Sequence, residues 1–255
     1  MRVGRLAVTG VALVALTGLT ACNDKAEAPA AQQESAPAAV AAPTGAAKEL
    51  AAAATKLTAT SGKVHMTMAG GLSGNGSFDT AEKVVDMRMT MPGLGDVSVR
   101  QIGTDMWMRF GGAAAKTFAG GKWMHIDAGR MPASSSLSMA KNDPRNSAKM
   151  LAASTDVAKT GPHAYTGTID ISKTTTLTTD MLKALEGRNT KVPFTAEVDG
   201  GGYLSRMSLD MDAVTPGAGK IVAEYSGIGT PVSVAAPAPA ETVEMPDTAL
   251  KAMGG

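Results

Sequence analysis

Residues Val85-Asp86-Met87-Arg88-Met89-Thr90-Met91 place an apolar side chain at every second position and a polar one between. Successive side chains on a β-strand point to opposite faces of the sheet, so this stretch predicts a strand with one apolar and one polar face. A sheet built from such strands can face water on one side only if its other side is covered.

The same alternation recurs along most of the chain. Gly and Pro residues separate the alternating runs, which is typical of antiparallel hairpins. We interpret Gly70 to Gly76 as turn residues, with Gly74-Asn75-Gly76-Ser77 at a hairpin turn. The other predicted strands contain Val64 to Met68, Val97 to Val99, Met106 to Phe110, Trp123 to Asp127, Tyr165 to Ile171, Val192 to Asp199, Leu204 to Met211 and Lys220 to Ser226.

Helical spacing is confined to short stretches. Leu50, Ala54 and Leu57 lie on one face of a helix predicted over Thr44 to Thr60. Two further helices are predicted over Asp143 to Ala153 and Thr178 to Glu186, and a short one over Thr248 to Met253. Strands and helices do not alternate one for one, which argues against a parallel sheet. The predicted fold class is α+β, a strongly curved antiparallel sheet (half-open β-barrel) with helices packed on its concave side.

The N-terminus has the features of a lipoprotein signal. Arg2 and Arg5 precede a charge-free apolar run, residues 6–19, that is too short to span a bilayer of about 30 Å. Leu19-Thr20-Ala21-Cys22 then places two small residues before the only cysteine of the chain. We predict cleavage before Cys22 and its modification by diacylglycerol with palmitate-type chains. An ordinary secretory signal with a chance cysteine is the alternative.

This prediction divides the chain into four parts. Residues 1–21 are the signal peptide, and residues 22–43 are a lipidated, disordered tether rich in Ala and Pro. Residues 44–240 are the folded domain, and residues 241–255 are a C-terminal tail. The expected location is the extracytoplasmic face of the cell membrane, with the lipid at Cys22 as anchor.

Composition argues against several functions. The net charge is +1, so the chain lacks the basic field of a nucleic-acid-binding protein. His65, His125 and His163 are widely separated, which does not predict a metal site, and we expect no cofactor. A copper(I) site at the Met-x-Met pairs stays open as an alternative. The sequence has no G-x-S-x-G elbow and no phosphate loop, so we expect no enzyme, and a hydrolase remains an unsupported alternative.

Several stretches resemble one protein family. They are residues 121–127 (GKWMHID), 143–151, 165–170 (YTGTID) and 225–232 (YSGIGTPV), together with the motif ending in Cys22. In their order and spacing they resemble the actinobacterial LppX/LprG-type lipoproteins. The resemblance implies a fold like that of the lipoprotein carrier LolA, in which a sheet folds around helices. It also implies an apolar cavity for the acyl chains of a lipid or lipoglycan.

The methionines are the candidate lining of such a cavity. The chain has 17 of them, many at every second position of predicted strands. Methionine is flexible and polarizable and suits surfaces that accept varied apolar shapes. Ordinary packing in the sheet core is the alternative for each residue. The candidate ligand-binding residues are Met66, Met68, Met87, Met89, Met91, Met106, Met108, Met124, Leu151, Leu182, Met207 and Met211.

Two functions follow from these observations. The first is a cell-envelope lipoprotein that binds the acyl chain of a lipid or lipoglycan for carriage or presentation. The second is an envelope interaction or sensor lipoprotein with a collapsed cavity, whose surface docks a protein partner. The short helices over Asp143 to Ala153 and Thr178 to Glu186 are the candidate lid of the cavity, by position alone.

The anchor prediction can be tested by replacing Cys22 with Ser. A Ser side chain has no thiol to form the thioether, so the variant should move from the membrane fraction to the soluble envelope fraction. Mass spectrometry of the wild-type N-terminal peptide should show a diacylglyceryl adduct on Cys22. A variant that stays in the membrane fraction, or a wild-type peptide that extends upstream of Cys22, would contradict the prediction.

Overall fold

The computed structural model describes residues 45–93, 95–131, 145–174, 183, 185–246 and 250. In this part of the chain, two α-helices accompany one open sheet of twelve strands. The coarse prediction of an α+β class dominated by a sheet is therefore confirmed. The helices are α1 (Gly45–Leu57) and α2 (Arg145–Ala152).

The strands form two meanders joined in the middle of the sheet. Their order across the sheet is β12-β6-β5-β4-β3-β2-β1-β11-β10-β9-β8-β7, so β1 meets β11 at the junction. The bounds are β1 (Ser61–Thr67), β2 (Ser73–Asp79), β3 (Val84–Met91), β4 (Gly95–Ile102), β5 (Asp105–Phe110), β6 (Trp123–Asp127), β7 (Thr155–Lys159), β8 (Ala164–Asp170), β9 (Lys191–Val198), β10 (Leu204–Asp210), β11 (Lys220–Ser226) and β12 (Thr242–Glu244).

Strand β2 corrects part of the prediction of turn residues from Gly70 to Gly76. Gly70 and Gly71 do turn the chain, with positive φ angles of 76° and 77°, but the residues from Ser73 onward belong to the strand. It pairs with β1 and with β3 along its whole length. Its apolar-face positions include Gly74 and Gly76, which have no side chains, so the alternation does not show in the sequence. A Cβ at Gly76 would lie 2.9 Å from the carbonyl oxygen of Asp86, so this strand packs closely against β3.

Two short edge strands are also absent from the prediction. In β7 only Val157 is buried, and a register shift with a positive φ of 55° at Asp156 interrupts the pairing. β12 lies in the segment predicted as tail and pairs with β6 in parallel, whereas an all-antiparallel sheet was predicted. β10 ends at Asp210, so Met211 lies in a short 3-10 helix, Met211–Ala213, and not on a strand as predicted.

The two helices begin and end close to their predicted bounds. α1 ends at Leu57, three residues before the predicted end at Thr60, and α2 starts two residues after Asp143. The predicted helix over Thr178 to Glu186 lies largely outside the described residues, as does the one over Thr248 to Met253.

Helix α1 packs on the apolar face of strands β7 to β10. Leu50 of α1 and Leu151 of α2 are both completely buried in this helix-side core. The carboxylate of Glu49 accepts hydrogen bonds from Lys159 Nζ at 3.0 Å and from the Tyr165 hydroxyl at 2.8 Å, which ties α1 to β7 and β8. The other buried members of the helix-side core are Ala47, Ala54, Leu57, Ala148, Val157, Tyr165, Ile169, Phe194, Ala196, Leu204 and Met207.

We predict that Leu50→Ala lowers the free energy of unfolding by about 3 kcal/mol. The substitution removes a completely buried side chain and leaves a cavity between α1 and the sheet. Chemical denaturation followed by circular dichroism measures the change, with Ala52→Ser on the exposed face of α1 as the control. A loss below about 1 kcal/mol would show that α1 is not held by this packing.

Candidate functional site

The strand register places the candidate methionines on one face of the sheet. Residues paired directly across two strands point to the same face. Met66 pairs with Ala223 and with Gly74, and Gly74 pairs with Met89. The remaining strand pairs place every methionine of the described strands on this same apolar face. These residues are Met66, Met87, Met89, Met91, Met106, Met108, Met124 and Met207.

A second apolar core lies at the other end of this face. Met106, Met124 and Ile126 are buried there together with Ala128 and Met245. Met245 follows β12, and its amide donates to the His125 carbonyl oxygen at 3.0 Å. We call this group the edge core, because it covers the sheet next to the edge strand β12.

Between the two cores runs what we call the methionine strip, formed by Met66, Met87 and Met89. Each of these side chains is half-buried, and none belongs to either core among the described residues. Gly74 and Gly76 lie between them on β2. Because glycine has no side chain, the surface of the strip is lower there and follows the backbone of β2. One row of pairs continues from Met87 through Val99 to Met108, which extends the apolar surface to β5.

The dimensions of the strip suit a linear apolar ligand. Neighbouring strands lie about 4.8 Å apart, so the strip covers about 10 Å from β1 to β3, and together with the row that reaches Met108 on β5 the apolar surface covers about 19 Å. The described helix α1, about 10 Å wide, packs on β7 and β10 at the far side of the sheet. The strip is therefore a wide apolar surface that the two cores flank on both sides.

A tyrosine stands beside the strip. Tyr225 of β11 pairs with Val64 on the apolar face and meets the ring of Phe78 edge-on at 6.4 Å. Burial raises the pKa of Tyr225 still further above neutral, and its protonated hydroxyl can donate a hydrogen bond. Sequence reasoning missed this residue because it did not predict that β11 lies next to β1.

The structure divides the predicted site residues into groups. Met66, Met87 and Met89 form the strip, while Met68, Met91 and Met108 are half-buried around it. Met211 lies in a 3-10 helix beyond the strand, as described above. Cys22 and Leu182 lie outside the described residues. The remaining predicted residues are buried in the cores: Met106 and Met124 in the edge core, and Leu151 and Met207 in the helix-side core.

The edge strand β12 is held by an ionic cluster on the opposite, polar face. His125 Nε2 lies 2.7 Å from Asp105 Oδ1, and Nδ1 lies 2.9 Å from Glu244 Oε1. Burial disfavours the charged ring, but the two carboxylates outweigh this effect and raise the pKa of His125. The ring also packs on Trp107, with 5.3 Å between centroids. His125 therefore links β5, β6 and β12 through its two ring nitrogens.

Neither the strip nor the rest of the described chain has three His, Cys, Asp or Glu side chains grouped to hold a metal ion. The described helices are all too short or too polar to cross a bilayer.

Comparisons with known proteins concern the fold. No family model and no curated protein matches the chain. Among solved structures, the lipoprotein LppX of Mycobacterium tuberculosis matches with 20% identity and a TM-score of 0.48, over 74% of this chain and 98% of LppX. An uncharacterized conserved protein from Thermus thermophilus matches with 8% identity and a TM-score of 0.40, over 78% of this chain and 99% of that one.

The ionic cluster predicts a pH-dependent stability. A histidine with a raised folded pKa stabilises the fold fully below its unfolded pKa of about 6.5, and this contribution is lost as the pH rises through the folded pKa. The free energy of unfolding should therefore fall as the pH rises from about 6.5 through the raised pKa of His125 in the folded protein. His125→Gln should flatten this dependence, whereas His163→Gln, in an exposed turn, should keep it. Denaturant titrations at each pH measure the effect. An unchanged slope in His125→Gln would contradict the prediction.

Proposed function

We propose that this protein is a cell-envelope lipoprotein that holds an acyl chain of a lipid or lipoglycan, for carriage or presentation. The methionine strip between the two cores is the observation that carries the proposal. The strip and the row that extends it to β5 form an apolar surface about 19 Å wide, which a hydrocarbon chain can cover. The proposed binding site comprises Met66, Met87 and Met89, with the smaller Gly74 and Gly76 beneath the acyl chain.

Methionine side chains suit this role for a physical reason. They are unbranched and polarizable, so they rearrange around chains of different length and saturation. Burying one methylene contributes about 0.8 kcal/mol, so a chain with about ten buried methylenes would gain about 8 kcal/mol. Such a gain corresponds to a Kd in the micromolar range before the costs of association are subtracted. The costs of association lower the net affinity, so bound lipid can be released as well as loaded.

Three features complete the proposal. The sheet curves as a half-open barrel, with the helices on its concave side as in LolA. The acyl chain of the lipid then lies in the cavity that the barrel encloses. The hydroxyl of Tyr225, beside the strip, donates a hydrogen bond to the polar end of the lipid. Lipidated Cys22 and the tether of residues 22–43 keep the domain within about 25 Å of the extracytoplasmic membrane surface, where lipid is available.

Docking of a protein partner is the second candidate function. Phe118 is 42% exposed and stacks on Phe110 with 4.4 Å between ring centroids. An exposed aromatic residue beside the edge core suits a contact with another envelope protein. Crosslinking through a photoreactive residue at position 118 tests this function, since specific capture of one envelope protein would support it. Absence of any captured protein would remove the candidate.

The lipid proposal predicts saturable uptake of a fluorescent fatty acid by the delipidated protein. Met66→Lys places a charge within the strip, so it should weaken binding at least tenfold because a buried ammonium must be desolvated. Thr67→Lys is the matched control, because the next residue of β1 is exposed on the opposite face. Fluorescence titration measures both variants, and circular dichroism verifies that each is folded.

Mass spectrometry of the protein purified from its native envelope supplies an independent measurement. We expect a co-purified lipid in wild type and in Thr67→Lys, and a strongly reduced amount in Met66→Lys. A delipidated wild-type protein that takes up neither fatty acid nor phospholipid would refute the proposal, as would equal binding by the two lysine variants.

A further inference from the structure

A small cavity lies on the polar face of the sheet, opposite the methionine strip. The strand register aligns Arg88 of β3, Ser98 of β4 and Arg109 of β5 in one row on this face. Next to this row is a cavity of about 250 Å³. Besides the three aligned residues, it is lined by Asp96, Phe110, Gly111, Ala115 and Gly121.

The guanidinium of Arg88 is held in place by a carboxylate that is itself fully engaged. Asp96 Oδ2 pairs with Arg88, and Asp96 Oδ1 accepts from the hydroxyl of Thr90 at 2.9 Å. The Arg88 and Thr90 hydrogen bonds hold the pKa of Asp96 below its usual value, so the carboxylate is ionised at neutral pH. Both carboxylate oxygens of Asp96 are therefore engaged by Arg88 and Thr90. Asp96 fixes the position of the Arg88 guanidinium and neutralises one positive charge.

The second guanidinium is positioned without a carboxylate. Arg109 lies over the buried indole of Trp123, with 4.7 Å from Cζ to the ring centroid. Arg100 lies 4.9 Å from the same centroid, but it pairs with Asp86 and donates to the Ala235 carbonyl oxygen. Among the described residues, no carboxylate lies within ion-pair distance of Arg109. Two arginines and one aspartate leave the cavity with a net charge of +1.

We propose that this cavity binds a phosphate group, with Arg88 and Arg109 on its oxygens and the Ser98 hydroxyl between them. Guanidinium groups match phosphate oxygens geometrically and form charge-assisted hydrogen bonds with them. The volume is below the 300–1,000 Å³ typical of pockets for larger organic ligands, so it suits a phosphate group with little attached to it. The phosphate belongs either to a lipid headgroup or to a small soluble phosphate. This site is independent of the proposed acyl-chain site on the other face.

The test uses the full chain with Cys22→Ser, which carries no lipid anchor. Inorganic phosphate is titrated at constant ionic strength and followed by calorimetry and by tryptophan fluorescence, since Trp123 contacts Arg109 and the chain has only 2 tryptophans. We expect saturable binding that Arg109→Gln and Arg88→Gln each weaken at least tenfold. Arg109→Lys should retain part of the affinity, because a lysine keeps the charge but loses the planar fork.

Two control variants separate this site from general charge and from the apolar strip. Arg206→Gln removes the same charge from the polar face of β10, where Arg206 pairs with Glu224 at 3.5 Å, and should bind phosphate like wild type. Met66→Lys alters the strip and should also bind phosphate like wild type. Equal loss of affinity in Arg109→Gln and Arg206→Gln would overturn the proposal, whatever the fate of lipid binding.

The source of the phosphate is distinguished by two further probes, glycerol 3-phosphate and monomeric short-chain phosphatidylglycerol. Binding of the short-chain lipid alone, lost in Arg109→Gln, identifies a headgroup site, while binding of the soluble phosphates identifies a site for free phosphate compounds. If none of the three probes binds in an Arg109-dependent manner while circular dichroism shows folded protein, the proposal is wrong.

Discussion

The apolar face of the sheet is wider than the described helices can cover. Twelve strands at about 4.8 Å spacing extend over roughly 50 Å, whereas two helices side by side cover about 20 Å. The helices pack where the second meander lies, and the edge core covers the opposite end. The central strands therefore keep apolar side chains that the protein's own described elements do not bury. The strip between the cores follows from this mismatch in width.

Much of the sheet could be predicted because one-sided burial imposes a period of two on the sequence. The prediction failed where that period has no apolar side chains to show it. β2 has Gly74 and Gly76 on its apolar face, because the methionines of β3 pack against their backbone. β7 and β12 are short edge strands with few buried residues, and the parallel pairing of β12 depends on a distant part of the chain.

The candidate site was predictable in kind but not in position. Alternation alone indicates that the methionines share a face, but it does not tell which ones the helices cover. Met66 and Met207 both pair with Ala223, one from each side of β11. Met207 is nevertheless buried in the helix-side core, whereas Met66 belongs to neither core. The alignment of Arg88, Ser98 and Arg109 was likewise hidden, because it depends on the register of three strands.

The sheet is open, so its two outermost strands carry backbone groups that could pair with another chain. At one edge, the bulge at Asp156 and the exposed Lys159 make β7 a poor template for further strands. At the other edge, the described residues that shield β6 are the three of β12 and the cluster around His125. Removal of the residues from Thr242 onward would thus expose both the backbone edge of β6 and the apolar side chains of the edge core that Met245 packs against. Residues that look dispensable in the sequence therefore cover a strand edge that would otherwise offer a template for pairing with a second molecule.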